Sequence, residues 1–149
     1  MNPTHRRMLL LYNRTVKTSS FSLISRVNRI MSKVKVHYRR SSLGTRVNFQ
    51  IIGFHLTNKI YDANGAGMDT VAQVAIALGK TFTKPDLYTF LTTGHKTGTI
   101  GIASRPAVCL EKYSNTDEGW KTSINEYPKG SHDDIFAAEV FCILNTQIL

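Results

Sequence analysis

Apolar positions along the chain recur with two different periods, which predict the order of its helices and strands. The run Met8 to Tyr12 is apolar and bounded by polar residues, as is typical of a buried strand. A helix is predicted next, with Ser22 as its N-cap, because apolar residues then recur every three or four positions and basic residues take the other side. Its predicted core face comprises Leu23, Ile24, Val27, Ile30, Met31 and Val34.

Alternation of apolar and polar residues over Arg46 to Thr57 predicts a second strand. The apolar phase shifts at Ile51-Ile52 and a glycine follows, which indicates a bulge or a deeply buried middle of the strand. His55 falls opposite the apolar set and is interpreted as a solvated strand histidine. The loop 61–68 then leads to a helix from Thr70 to Leu78, which we expect to be capped by Asp69, to pack through Val71, Val74, Ala75 and Leu78, and to end at Gly79.

The second half of the chain predicts two more strands and a final helix. Asp86 to Thr92 reads as a strong strand, and Gly98 to Ala103 as a short one whose glycines let another backbone approach closely. Residues 104–130 are predicted to be a long irregular loop, followed by a helix from Asp133 that packs through Ile135, Ala138, Phe141 and Cys142. The pattern decays after Cys142. Strands alternating with helices predict an α/β layered domain with a mixed sheet.

Charge divides the chain into two unequal parts. Residues 1–61 hold 12 Lys and Arg and no Asp or Glu, whereas residues 62–149 hold 7 Lys and Arg and 10 Asp and Glu. Three interpretations remain open: a nucleic-acid-binding arm, a mitochondrial transit peptide, and a solvated basic face. Aromatic residues are not interleaved with the basic ones, which weighs against the nucleic-acid-binding arm, and the solvated face is favoured because most runs of charge are merely solvated. Residues 1–7 form a basic lead-in, and the sequence contains neither a secretory signal nor an apolar run long enough to span a bilayer.

Motif searches find no catalytic or metal-binding signature. The GxSxG elbow, the CxxC pair and the spacings of phosphate-binding loops are absent, and the five histidines lack metal-ligand spacing. Cys109 and Cys142 form one disulfide or none. Asn13-Arg14-Thr15 is a glycosylation sequon that matters only in a secreted chain. On spacing alone, we predict no catalytic residue and no metal-binding residue.

Several segments, in order from residue 8 to 142, together resemble the reprolysin (adamalysin) zinc proteases, which are metzincins, and arthropod venom members in particular. The matching segments are LLLY, SLISRVNRIMSKV, VNFQIIGFHL, DLYTFLTTG, GTIGIA, AVC, INEY and AAEVF. The resemblance implies the upper subdomain of a metzincin catalytic domain: a mixed, mostly parallel sheet with an antiparallel edge strand and about three helices. It also implies that an extended substrate peptide pairs with this edge strand along Thr99, Ile100, Gly101, Ile102 and Ala103.

The sequence departs from the family where the zinc motif HExxHxxGxxH should stand. Counting from Glu139, the first His, the Glu and the second His would fall at Ile143, Leu144 and Gln147. Zinc is the family's cofactor, but none is expected to bind here, because the first two side chains carry no donor atom and a glutamine is a poor ligand. Cys109 matches a family cysteine whose partner lies further along. Residues 1–149 are thus expected to be a single incomplete domain with an aberrant tail at 143–149.

Three functions follow as expectations. The resemblance implies a secreted zinc metalloendopeptidase, inactive in the form of this chain. The first alternative is a non-catalytic pseudoprotease that binds peptides by strand addition. The second is a basic-tailed mitochondrial or nucleic-acid-associated protein, which is less favoured. Self-association through the uncovered face of Ile135, Ala138 and Phe141 is also expected.

Overall fold

The described part of the chain forms one five-stranded sheet and two helices. The structure, a computed structural model, describes residues 4–38, 47–80, 85–93, 101–103 and 121–127. In chain order the elements are β1 (Thr4–Tyr12), α1 (Ser20–Tyr38), β2 (Val47–Leu56), α2 (Gly65–Leu78), β3 (Leu87–Thr92), β4 (Gly101–Ala103) and β5 (Thr122–Glu126). The helix expected from Asp133 and the tail at 143–149 lie outside these residues.

The strands lie in the order β2-β1-β3-β5-β4. β1 is parallel to β2 and β3, and β3 is parallel to β5, whereas β4 runs antiparallel to β5 at the edge of the sheet. The expected α/β fold, with a mostly parallel sheet and an antiparallel edge strand, is confirmed. The chain places β2 on one side of β1 and β3 on the other, so the winding direction reverses between β1 and β3.

The bulge predicted in β2 is present at the predicted place. Met8 pairs with Ile51, but Leu9 pairs with Gly53, so Ile52 is the extra residue. Without it, the alternation of side chains would carry the apolar residues of the second half of the strand to the opposite face. Because of the extra residue, Phe49, Ile51 and Phe54 all pack against the same core cluster.

Each face of the sheet is covered by one helix, which gives three layers. On one face, α1 packs with Met8, Leu10, Leu87 and Leu91 through the apolar residues predicted from its periodicity. Five of these six residues are buried, and Ile24 is 37% exposed. On the other face, α2 packs through Val71 and Ala75, with Val74 and Leu78 half-buried, against a cluster from the sheet that comprises Leu11, Tyr88, Phe90 and Ile124. The predicted core faces are therefore confirmed, except at Ile24.

Both helices begin before the residues predicted to cap them. For α1 the cap is Ser19, whose Oγ accepts from the backbone N–H of Ser22 at 3.2 Å. For α2 the cap is Asn64, whose side chain accepts from the N–H of Gly67 at 2.7 Å. The predictions of Ser22 and Asp69 as caps were wrong, because both residues lie inside their helices. In each case the cap is a polar residue that comes earlier in the chain. Gly79 is the C-cap of α2, as predicted, and it has right-handed backbone angles.

Two segments predicted to be irregular contain strands. β1 extends back to Thr4 through the basic lead-in, because residues 4–7 pair with residues 47–50 of β2. In addition, the backbone N–H of Asp86 donates to the carbonyl of Arg7 at 2.8 Å, and the Asp86 Oδ2 accepts from the Arg7 N–H at 2.7 Å. The predicted loop 104–130 contains β5, a buried strand that carries only one apolar residue, Ile124. Its polar composition removed the alternation on which the sequence prediction depended.

Candidate functional site

The structure places part of the predicted peptide-binding segment on the outer strand of the sheet. Gly101, Ile102 and Ala103 form β4 and are all half-buried. They pair with Asn125, Ile124 and Ser123 of β5. Thr99 and Ile100, the other two predicted residues, lie outside the described residues. Sequence reasoning therefore identified the strand, although the structure describes only its second half.

Side chains from both faces of the sheet hold β4 in place. Ile102 lies opposite Ile124 and packs against the core cluster beneath α2. Ala103 packs against the cluster beneath α1. Because the strand is fixed from both sides, its backbone is held in an extended conformation.

The outer edge of β4 offers backbone groups for strand addition. In an antiparallel ladder, successive residues direct their N–H and C=O groups alternately to the partner strand and away from it. β5 lies on one side of β4, and within the described residues no strand pairs with the other side. The outer edge thus presents roughly two to four backbone groups, enough to begin a ladder with an extended chain.

A second polar site lies at the carboxyl edge, which we define as the edge of the sheet where β1, β2, β3 and β5 end. There the Thr15 Oγ1 lies 3.2 Å from the Thr92 Oγ1 and accepts from the N–H of Thr93 at 3.0 Å. Thr93 also donates its hydroxyl to the carbonyl of Thr15, and the side chain of Asn13 accepts from Thr15. These bonds fasten the loop after β1 to the end of β3.

Tyr61 continues this network across the sheet. Its hydroxyl donates to the carbonyl of Leu91 at 2.8 Å, and its own carbonyl accepts from the Thr92 hydroxyl at 3.1 Å. Its ring meets that of Phe90 edge to face at 5.4 Å. Burial raises the pKa of Tyr61 far above its usual value, because the phenolate would lose its hydration. The tyrosine is therefore a neutral structural donor and not an acid or a base near neutral pH.

Asn13 combines a glycosylation sequon with deep burial. It is 1% exposed, and its Oδ1 accepts from the backbone of Thr15. Its Nδ2, the atom that a glycan would modify, is buried and lacks a hydrogen-bond partner among the described residues. Glycosylation there would require the folded carboxyl edge to open. The sequence signal for this network was the Asn-x-Thr spacing itself, which was interpreted only as a sequon.

The residues at the zinc-motif positions do not fit a zinc ion. Ile143 and Leu144 carry no ligand atom, and Gln147 offers only a weak amide oxygen. These positions lie outside the described residues. Within the part of the chain that the structure describes, no group of three His, Cys, Asp or Glu residues could hold a metal. We therefore derive no chemical step through zinc for this chain.

Comparison with known proteins supports the fold and leaves the activity open. No protein-family model matches the sequence, and no curated protein matches it. Among solved structures, one described as "Structure of a chaperone-substrate complex" matches 96% of this chain with a TM-score of 0.67 and 15% identity. This chain spans 23% of the length of that one. None of the helices within the described ranges is long and apolar enough to cross a membrane. At this identity, the likeness establishes a shared α/β fold.

Proposed function

We propose that the chain is a domain of the reprolysin metalloendopeptidase type that binds an extended peptide by strand addition to β4 and does not itself supply the zinc site. The observation that carries the proposal is the placement of β4: it lies at one edge of the sheet that the described residues form and runs antiparallel to its neighbour. Such strands accept a further strand through main-chain hydrogen bonds, while side chains on alternate residues give selectivity.

The residues of β4 suit this role physically. Gly101 adds no side chain that would hold another backbone away from the edge. Ile102 and Ala103 are directed to opposite faces of the sheet and anchor the strand on both. A bound peptide would lengthen the sheet by one strand with little rearrangement, which keeps the entropic cost of binding low.

A backbone test separates strand addition from other modes of binding. The probe is a short fluorescent peptide of alternating valine and serine, prepared in two forms that are N-methylated on alternate residues in opposite phase. One phase blocks the amides that face β4, and the other blocks the amides that face solvent. We expect the first form to bind at least about tenfold more weakly and the second to bind like the parent peptide, because each lost backbone bond contributes about 1 kcal/mol.

Amide chemical shifts locate the peptide. We expect the largest changes at Gly101, Ile102 and Ala103. Equal affinity of both methylated forms, or shift changes that avoid β4, would contradict strand addition.

Zinc content tests the second half of the proposal separately. Purified protein is measured for bound zinc and for hydrolysis of a generic peptide substrate. We expect neither stoichiometric zinc nor turnover, because the side chains of Ile143, Leu144 and Gln147 cannot form a tetrahedral site. One zinc per chain would overturn this part and leave the strand-addition test unaffected.

A further inference from the structure

A groove lies at the carboxyl ends of β1 and β2, at the opposite side of the sheet from β4. Its volume is about 430 Å³, and it is lined by Arg14, His55, Leu56, Thr57 and Asn58. The backbone N–H of Thr57 donates to the carbonyl of Tyr12 at 2.9 Å, which fixes the ends of the two strands against each other. The Thr57 hydroxyl in turn accepts from the N–H of Lys59 at 3.3 Å. The groove therefore has a fixed backbone frame.

The groove and the two loops beside it carry positive charge. Arg14 is exposed on the groove wall, and the exposed side chains of Lys17 and Lys59 project from the same two loops. The loop after β1 holds no Asp or Glu, and the loop after β2 holds one, Asp62, so the two loops keep a net positive charge. Arg14 lines the groove itself, and the two lysines add positive potential from the same loops, which favours an anion.

The remaining lining residues add hydrogen-bond donors and one apolar surface. Arg14 presents a planar guanidinium that can bind two oxygens of one oxyanion at once, and the side chain of exposed Asn58 can donate from its amide. Leu56 is 55% exposed and gives the groove an apolar wall. The groove lies at the carboxyl ends of two parallel strands, the end of an α/β sheet at which ligands bind, and it lies beside β2 and not at the reversal between β1 and β3.

We propose that this groove binds the phosphate group of a phosphomonoester, with the organic part of the ligand against Leu56. Such a group is carried by soluble phosphorylated molecules and by phosphatidic acid headgroups. The dianion suits a groove lined by Arg14 on two loops of net positive charge, and the apolar wall distinguishes the site from a face that is merely solvated. This inference is independent of peptide binding at β4.

Titration calorimetry with phenyl phosphate in chloride buffer at constant ionic strength tests the site. We expect binding to the wild type, and a loss of about tenfold in Arg14→Gln, because a charge-assisted bond to the anion is removed. Lys80→Gln removes the same charge from an exposed residue beyond the end of α2, and we expect it to change affinity by less than about twofold. Asn58→Asp places a negative charge in the groove, of the same sign as the ligand, and should weaken binding at least as much as Arg14→Gln does.

Sedimentation with vesicles of phosphatidylcholine, prepared with and without phosphatidic acid, distinguishes a lipid headgroup from a soluble phosphorylated ligand. Phosphatidic-acid-dependent sedimentation that Arg14→Gln abolishes would assign a lipid headgroup, whereas binding of phenyl phosphate alone would assign a soluble ligand. Absence of phenyl phosphate binding, or equal weakening by Arg14→Gln and Lys80→Gln, would overturn the proposal. Retention of a DNA duplex that both variants weaken equally would also overturn it, since the charge would then serve a distributed nucleic-acid surface.

Discussion

Gly67 lies in the first turn of α2, where the backbone of Asp62 passes close to its Cα. A Cβ added to Gly67 would lie 1.7 Å from the carbonyl oxygen of Asp62, whereas one added to Gly65 would meet nothing within 4 Å. We expect Gly67→Ala to lower the free energy of unfolding by at least about 3 kcal/mol, because a backbone segment must move. Gly65→Ala is the matched control and should be neutral or stabilising by up to about 1 kcal/mol. Urea denaturation measures both, and equal effects would contradict the close approach.

Tyr61 links residue chemistry to pH. Its pKa is raised by burial in the folded state, while the unfolded chain titrates near the ordinary value of about 10. Above that pH the unfolded state loses the proton and the folded state keeps it, so stability should fall by up to about 1.4 kcal/mol per pH unit. Below it this contribution is fully present. Tyr61→Phe should cost about 1 kcal/mol at neutral pH through the lost bond to Leu91 and should flatten the alkaline decline in urea melts. If the loss of stability with rising pH were the same in Tyr61→Phe as in the wild type, another titrating group would be its cause.

At the scale of elements, the helix caps give the sharpest test of the structure against the sequence pattern. Asn64 accepts from Gly67 at 2.7 Å at the start of α2, whereas Asp69, the residue that the pattern favoured, lies exposed inside the helix. Asn64→Ala should cost about 1 kcal/mol because it leaves an amide of the first turn without its acceptor. Asn64→Ser should retain most of that stability. Asp69→Ala should change it by less than about 0.5 kcal/mol in chemical denaturation, and the reverse ranking would restore the sequence prediction.

Elements with strong periodicity were predictable, and those with weak periodicity were not. Apolar patterns in the sequence predicted the core faces of α1 and α2, the bulge at Ile52 and the buried strand β3. In each of them, only one secondary structure places all the apolar side chains in the core. β5 lies between β3 and β4 and buries Thr122, Ser123 and Asn125, so its polar sequence resembles a loop. Its position depends on the two neighbouring strands, since β5 pairs in parallel with β3 and antiparallel with β4. Tertiary context of this kind is absent from a local pattern.

At the scale of the whole molecule, the two proposed binding sites lie at opposite lateral edges of one sheet. One is the strand β4, and the other is the groove at the carboxyl ends of β1 and β2. The strand β4 was identified from its glycines and from family resemblance, because both signals are contiguous in the sequence. The carboxyl-edge groove was not identified, because Arg14 and Asn58 come from different loops and meet only after β1 and β2 pair. Sites assembled from separate strand ends require the topology of the sheet, which the order of elements alone leaves open.

The unequal charge of the two parts of the chain should make stability depend on salt. The chain carries a net charge of +9, and its first 61 residues hold 12 cations without a single acidic residue. Folding packs α1, which carries four of these cations, against the sheet that contains β1, which carries two, and salt screens their repulsion. We expect the free energy of unfolding to rise by roughly 1 kcal/mol between about 0.01 and 0.5 M sodium chloride. Sodium chloride is the salt used, because phosphate is the proposed ligand of the groove. Lys59→Glu, which reverses an exposed charge within the basic part, should reduce this rise, whereas Lys80→Glu, outside it, should not. A rise that both variants reduce equally would mean that salt acts on the net charge of the whole chain and not on the cations of its first 61 residues.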